Sequence, residues 1–193
     1  MSIFLDALAD FIIPICGAGG CRPLTARCEI APRGKPCDPS QPETGCTGIV
    51  TFEMEKDTCV IKWDLKNCGK EGLHGFHIHE KADFSDGCAS AGPHYNPDNK
   101  QHGGPQDKER HVGDMGNIVV DKNGCSKGEL RDHLIKLSGP WSVIGRSVMV
   151  HADPDDLGRG DNSQPGVNGK TSKTTGNAGA RIGCGEIRYG RPF

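Results

Sequence analysis

The sequence predicts an all-β domain, either a β-sandwich or a barrel, for two reasons. Short runs of β-branched and aromatic residues recur along the chain and alternate with polar ones, as in half-buried strands. Turns separate these runs, and the 193 residues include 28 glycines and 13 prolines. No run approaches the roughly 18 consecutive apolar residues of a membrane-spanning helix. A chain of this length forms one domain around one core.

The predicted strands begin in the second quarter of the chain. Gly48–Met54 is rich in β-branched and aromatic residues, Cys59–Leu65 alternates, and the turn at 55–57 joins them as a hairpin. Further strands are predicted at Gly75–Glu80, Asn117–Val120, Leu134–Leu137, Val148–His151 and Arg181–Ile187. Seven or so short strands separated by turns are typical of a sandwich or barrel.

The first quarter of the chain has no comparable pattern. Residues 1–25 match no motif and are treated as an unassigned N-terminal extension of a domain that covers 26–193. Within them, Phe4–Ile13 is either a short amphipathic helix or a disordered lead. Residues 27–45 are rich in Pro, Gly and Cys, which predicts a loop stapled by disulfides.

Ten cysteines are a large number for this length, and their even count favours disulfides and an oxidising location. No CxxC pair occurs, so a thiolate zinc site is not expected. The apolar run 1–16 has no basic start and is interrupted by Asp6 and Asp10, unlike a secretory signal. Localisation therefore stays open between cytoplasmic and extracellular.

The formal net charge of −2 predicts no general attraction to nucleic acid or to an anionic membrane. A small anionic substrate gains nothing from that net charge. Any attraction must come from the local placement of Lys and Arg.

Two long segments, 81–115 and 152–180, lack a strand pattern. Loops this long are uncommon in a compact domain unless they carry function. Six of the eight histidines lie in or beside the first segment, and a seventh opens the second. These loops are where we expect the chemistry.

The histidines form a pattern typical of metal binding. His77 and His79 alternate in a strand, so both imidazoles face one side of the sheet. The following segments add His94, His102, His111, Asp114 and His151. A nitrogen-only set suits oxidised copper, whereas three imidazoles and one aspartate close a tetrahedral zinc site. His74 and His133 are interpreted as ordinary histidines.

Five motifs carry a resemblance to a known family. They are Gly72–Glu80 (GLHGFHIHE), Gly87–Pro97 (GCASAGPHYNP), His102–Pro105 (HGGP), Arg110–Asn117 (RHVGDMGN) and Thr175–Arg181 (TGNAGAR). From about residue 26 to residue 187 the chain resembles the copper–zinc superoxide dismutases. The resemblance implies a Greek-key antiparallel β-barrel or sandwich, immunoglobulin-like, with two long functional loops.

The resemblance also implies a role for each residue of the metal centre. It places copper on His77, His79, His94 and His151, and zinc on His94, His102, His111 and Asp114, so that His94 bridges the metals. Asp155 would link His77 to His102 and fix their ring orientation. Arg181 would border the copper and guide the anion.

The same resemblance implies a disulfide between Cys88 and Cys184. We expect at least one bridge beyond it, and the pattern leaves the pairing of the other eight cysteines open: Cys16, Cys21, Cys28, Cys37, Cys46, Cys59, Cys68 and Cys125.

The implied activity is the disproportionation of superoxide to oxygen and hydrogen peroxide by one-electron cycling of copper, with a structural zinc. A copper chaperone is an implied partner. Two alternatives are a copper-delivery protein with a dismutase-like domain and a passive metal-storage protein. The first would carry a CxC or CxxC motif, and the second would not need Arg181 or Asp155. This chain has all seven ligands and no such motif.

The chain departs from the family pattern in three places. The loop after Asp156 is longer, through 161–169, and has Asn162, Ser163 and Gln164 near the usual pair of glutamates. Lys173 is near the usual lysine position, and with Lys170 and Arg181 it is expected to form a local positive region. Residues 185–189 include charged side chains at positions where the family has an apolar dimer interface, which argues against the usual homodimer.

Overall fold

A computed structural model describes residues 23–34, 44–160, 162–163 and 171–190 of the chain. Regular structure in these residues is almost entirely β. The strands are β1 (Thr25–Ile30), β2 (Thr47–Glu55), β3 (Thr58–Lys66), β4 (Gly72–His79), β5 (Ser85–Cys88), β6 (Asp114–Val120), β7 (Ser126–Asp132), β8 (Ser147–His151) and β9 (Arg181–Tyr189). A short 3-10 helix, Ala89–Ala91, and a one-turn helix, α1 (Ser172–Thr175), complete it.

Eight of the strands form one antiparallel sheet, in the order β6-β4-β8-β9-β1-β2-β3-β7. The two edge strands, β6 and β7, contact each other, so the sheet curls into a nearly closed barrel. The chain crosses between distant positions in the barrel after β3 and after β7, as in a Greek key. The predicted all-β antiparallel fold is confirmed.

The core lies inside the barrel and follows the period-2 alternation of the strands. Phe76 and Ile78 of β4 are fully buried among the apolar side chains of the interior. Their neighbours His77 and His79 therefore lie on the other face of β4, where they are also buried. One strand thus serves the core on one face and presents two imidazoles on the other.

Most predicted strands form, with ends that differ by a few residues, and the prediction for Leu134–Leu137 is wrong. The Asp132 carboxylate ends β7 by accepting hydrogen bonds from the amides of Leu134 and Ile135, at 2.7 and 2.9 Å. The chain then continues as a loop in which Ile135 and Leu137 are buried. The apolar residues that suggested a strand here are therefore side chains that pack into the core from a loop.

Three strands were not predicted. The first, β5, lies inside the segment 81–115 that was expected to lack strands. β1 lies partly inside the segment expected to be a stapled loop, and its Cys28 is a free buried thiol. β7 has few apolar residues of its own, and the side chain of Trp63, from the neighbouring strand β3, packs over its Gly128. A Cβ on Gly128 would lie only 2.4 Å from the Trp63 ring, and the indole nitrogen donates to Ser126 at 2.9 Å.

The expectation for Phe4–Ile13 lies outside the described residues, and so do residues 35–43 of the loop expected at 27–45. Among the described residues, no helix has the length and apolar character needed to cross a membrane.

Two disulfides form among the described residues, Cys88–Cys184 and Cys46–Cys68. The expectation of a bridge beyond Cys88–Cys184 is therefore confirmed. Cys46 immediately precedes β2 and Cys68 follows β3, and their Cα atoms are 4.3 Å apart. The second bond thus closes the open end of the β2–β3 hairpin.

Peptide mapping without reduction should recover Cys46 and Cys68 in one linked pair of peptides. Replacing both by Ser should lower the free energy of unfolding by about 2–4 kcal/mol, because the bond restricts the unfolded chain. Cys125→Ser, which removes a free cysteine, is the control and should leave stability nearly unchanged. Recovery of Cys46 and Cys68 as alkylated free thiols would contradict the pairing.

Candidate metal centre

Two β-bulges occur where the sheet supplies histidines to the site. The register of β4 against β6 shifts between Gly75 and His77, and that of β8 against β9 shifts between Val150 and His151. A bulge bends the strand and changes the direction of the side chains beside it. These shifts aim His77 and His151 towards the space beneath the two long loops.

Four buried imidazoles form the first group of candidate ligands. Each contributes one ring nitrogen, and these nitrogens all lie within 4.8 Å of one another: His77, His79, His94 and His151. The first two come from β4, and His151 ends β8. His94 comes from the first long loop, which a bridge between the backbones of His79 and His94 fastens to β4.

The second group shares His94 and adds His102, His111 and Asp114. Their nitrogens converge on one carboxylate oxygen. Asp114 Oδ1 lies 2.9 Å from His94 Nδ1, 2.9 Å from His102 Nδ1 and 3.1 Å from His111 Nδ1. Three imidazole nitrogens around one anionic oxygen leave a small polar cage that suits a cation.

Carbonyl oxygens fix the tautomers of three of these imidazoles. Only an N–H can face a carbonyl oxygen, so the other ring nitrogen of each neutral ring keeps its lone pair for a metal. The bonds run from His79 Nδ1 to Gly92 at 2.8 Å, from His111 Nε2 to Lys100 at 3.0 Å and from His151 Nδ1 to Gly179 at 3.1 Å.

Asp155 joins the two groups. Its Oδ2 accepts from His77 Nε2 at 2.9 Å, and its Oδ1 accepts from His102 Nε2 at 2.8 Å. The Asn117 side chain holds the Asp155 backbone through two hydrogen bonds, of 2.8 and 2.9 Å. Asp155 therefore directs the remaining nitrogen of each ring, Nδ1, into its group.

Three buried ring nitrogens of the first group have no hydrogen-bond partner among the described residues: His77 Nδ1, His79 Nε2 and His151 Nε2. Leaving a buried polar atom unpaired costs about 1–3 kcal/mol. In each of these rings the other nitrogen is held by Asp155 or by a carbonyl. The donor chemistry fits metals in both groups, with an all-nitrogen set for copper and a three-nitrogen, one-oxygen set for zinc.

Burial keeps the first group uncharged. It lowers the pKa values of His77 and His79 well below the ordinary range, with further repulsion from His94, and lowers that of His151 to about 4. Burial also opposes charge on His102. Its hydrogen bonds to Asp114 and Asp155 outweigh that effect and raise its pKa to about 9.

Arg181 lines a cavity of about 410 Å³ together with His79, His94 and His151. Its guanidinium donates to the carbonyl oxygens of Cys88, Ala89 and Gly92 at 2.8–3.0 Å. The Gly92 carbonyl accepts from both Arg181 and His79, so one loop carbonyl positions the arginine and an imidazole together.

The structure places the remaining histidines outside both groups. His74 is buried with both ring nitrogens facing carbonyl oxygens, those of His151 at 2.7 Å and Lys70 at 2.8 Å. His133 is exposed.

Sequence reasoning missed the roles of Asn117 and of the Gly92 carbonyl, although both lie inside motifs that had been recognised. A carbonyl has no side-chain signature that could reveal it.

Lys173 does not line the cavity that contains Arg181, and its part in a shared positive region stays a prediction. This lysine lines a separate cavity of about 330 Å³ beside His102, together with Asp107 and Arg159. The expected contribution of Lys170 lies outside the described residues.

The fold and the site together define an all-β protein with two buried groups of candidate metal ligands that share one histidine. Residues 46–187 match the family described as copper/zinc superoxide dismutase. The superoxide dismutase [Cu-Zn] of Kluyveromyces lactis is 50% identical over 147 residues, which are 75% of this chain and 90% of that protein. The enzyme of the same description from Pleurocordyceps sinensis is 52% identical over 143 residues, covering 73% and 88% of the two chains.

A solved structure agrees with these sequence matches. The crystal structure of the clock protein EA4 superposes with a TM-score of 0.73 at 36% identity, covering 90% of this chain and 99% of that one. The chain belongs to the copper/zinc superoxide dismutase family. It is an oxidoreductase, and its cofactors are copper and zinc.

Proposed function

We propose that the chain disproportionates superoxide with its two metals divided between the two groups of ligands. Copper is held by His77, His79, His94 and His151, and zinc by His94, His102, His111 and Asp114. The observation that carries the division is the sharing of His94 alone by the two ligand sets. Bound copper supplies the electron acceptor and donor that the reaction needs, and zinc, which has no redox chemistry, orders the loop.

His94 has a second task in this proposal. Its Nδ1 lies beside Asp114 in the zinc group, so its Nε2, on the opposite side of the ring, serves the copper group. Whenever this nitrogen is not engaged by copper, it would be able to hold a proton and pass it to the product. Protonation at His94 Nε2 would then supply a proton for hydrogen peroxide within the site.

We assign Arg181 as the substrate guide. Superoxide is a small monoanion, so charge must do most of the selecting. The guanidinium stays protonated at any working pH. Three carbonyl contacts hold it in the wall of the cavity that reaches His79, His94 and His151.

The proposed partners follow from the same site. All copper ligands are buried, which favours a copper chaperone as the source of the metal.

The pairing of β1 with β9 creates a charged face, where Arg27 pairs with Glu29 and Arg188 with Glu186. These charges disfavour the apolar homodimer interface that the family resemblance implies.

Superoxide consumption by metal-loaded and metal-free protein distinguishes this proposal from its alternatives. We expect rapid consumption that requires copper. A copper-delivery protein would instead transfer its copper to another apoprotein, and a storage protein would bind the metals without consuming superoxide. Either result would overturn the proposal.

Arg181→Ala should slow superoxide consumption several-fold to about tenfold, because roughly 1 kcal/mol of electrostatic guidance is lost. Arg181→Glu should be slower still, because it repels the anion. Added salt should slow the native protein, since charges are screened beyond about 10 Å at 0.1 M. This salt effect should shrink in Arg181→Ala. Both variants should keep their metals, and full activity with a native salt slope in metal-loaded Arg181→Ala would refute the assignment.

A further inference from the structure

The side chain of Arg146 reaches both of the segments that carry His79 and His94, two of the proposed copper ligands. Its Nη1 donates to the carbonyl oxygen of Glu80, at 3.0 Å. Its Cζ lies 3.5 Å from the centre of the Tyr95 ring, as in a cation–π contact. Glu80 directly follows His79, and Tyr95 directly follows His94. One guanidinium therefore contacts the next residue after each ligand.

The guanidinium is itself held in place. Its Nε donates to the carbonyl oxygen of Ser142, at 3.1 Å. The backbone carbonyl of Arg146 accepts from the amide of Ile187 in β9, at 2.9 Å. A guanidinium is planar and presents its donors in fixed directions, so it can stack on a ring and donate to two carbonyls at once. An ammonium group on a flexible stem cannot make all three contacts together.

Backbone hydrogen bonds hold the segments of His79 and His94 together along the main chain. A bridge joins these two residues, with hydrogen bonds of 2.9 Å from the Glu80 amide and 2.8 Å from the Tyr95 amide on either side of it. These bonds leave the Glu80 carbonyl and the buried Tyr95 side chain to other partners. Arg146 contacts both groups, so it adds a side-chain link to the main-chain bridge.

We propose that Arg146 is a positioning residue for copper, which sets the placement of His79 relative to His94. The inference rests on the proposed function, because it takes copper to bind these two imidazoles. Among the zinc ligands, only the shared His94 adjoins a residue that Arg146 bonds or stacks on. Loss of Arg146 should therefore disturb the copper group more than the zinc group.

Arg146→Met tests this, because it removes the planar group and keeps an unbranched side chain at a half-buried position. Competition with a chelator should show copper bound about tenfold more weakly, the lower end of the effect of groups that bond a ligand directly. Zinc affinity should stay close to native. The EPR spectrum of the Cu(II)-loaded variant should change, because its hyperfine splitting reports how the imidazole nitrogens surround the ion. Arg146→Lys should lose nearly as much, because it keeps the charge without the planar group.

A double-mutant cycle tests whether the ring and the guanidinium act together. Tyr95→Leu keeps an apolar side chain in the core and removes the aromatic face. Combining it with Arg146→Met should weaken copper binding by much less than the product of the two single effects. Arg131→Met is the matched control, because Arg131 is exposed and forms its ion pairs with Glu55 and Glu129. This control should keep the native copper affinity and EPR spectrum.

The outcomes separate this inference from the function on which it rests. A native protein that binds both metals and consumes no superoxide would overturn the function, while the copper affinities and EPR spectra of the variants would still decide the positioning role. Native copper affinity with an unchanged EPR spectrum in Arg146→Met would overturn that role. Equal losses of copper and zinc affinity, or full rescue by Arg146→Lys, would also overturn it.

Discussion

His94→Ala should lower superoxide consumption at least about a hundredfold, the largest loss expected from a single substitution. Replacing a residue that merely orients a metal ligand costs about 10–100-fold in affinity or activity. His94 is the only residue that belongs to both ligand groups, so its loss removes a direct ligand from each. The variant should bind copper and zinc more weakly than the native protein.

A spectroscopic measurement tests the bridge without relying on activity. With Cu(II) in the first group and paramagnetic Co(II) in the second, an imidazolate bridge couples the two ions and suppresses the copper EPR signal. The signal should be suppressed in the native protein and return in His94→Ala supplied with both ions. His133→Ala is the matched control, because His133 is exposed and lies outside both groups. Normal coupling in His94→Ala would rule out the bridge.

Asp155→Ala should weaken zinc binding by about 10–100-fold while the copper ligands stay in place. The substitution removes the two acceptors that hold Nε2 of His77 and of His102, at 2.9 and 2.8 Å. Both rings then lose the contact that directs Nδ1 into its group. The zinc group suffers more, because three of its four ligands come from the long loop that Asp155 anchors through His102.

Competition with a chelator, followed by elemental analysis, measures this loss. Asp153→Asn serves as the control, because that carboxylate lies two residues away and is exposed. Asp155→Asn should be intermediate, since one amide oxygen can accept from only one of the two rings in place of the paired carboxylate oxygens. Native zinc affinity in Asp155→Ala would show that Asp155 does not position these ligands.

The metal centre could be predicted from the sequence because its residue types are rare and their spacing is regular. His77 and His79 lie two residues apart in a strand, and the structure places both on one face, as that spacing requires. The strands that surround this region alternate clearly, so the fold class followed from the same pattern. Residues whose identity sets their chemistry were therefore the easiest to predict.

Features that depend on distant contacts could not be predicted. β7 forms because Trp63 packs over Gly128, and Ile135 is buried in a loop because Asp132 ends the strand before it. The partner of Cys46 depends on how the β2–β3 hairpin closes. The direction of Lys173 depends on a one-turn helix inside a long loop, where a difference of one residue changes the cavity that a side chain reaches.

The metal content of the loaded and dialysed protein tests the central claim most directly. Two ligand groups that share only His94 should retain one copper and one zinc per chain, and elemental analysis would measure both. Omitting zinc should leave the second group open, and adding zinc back should restore one equivalent. A single metal per chain, with no second site recovered on adding zinc, would contradict the shared two-metal centre.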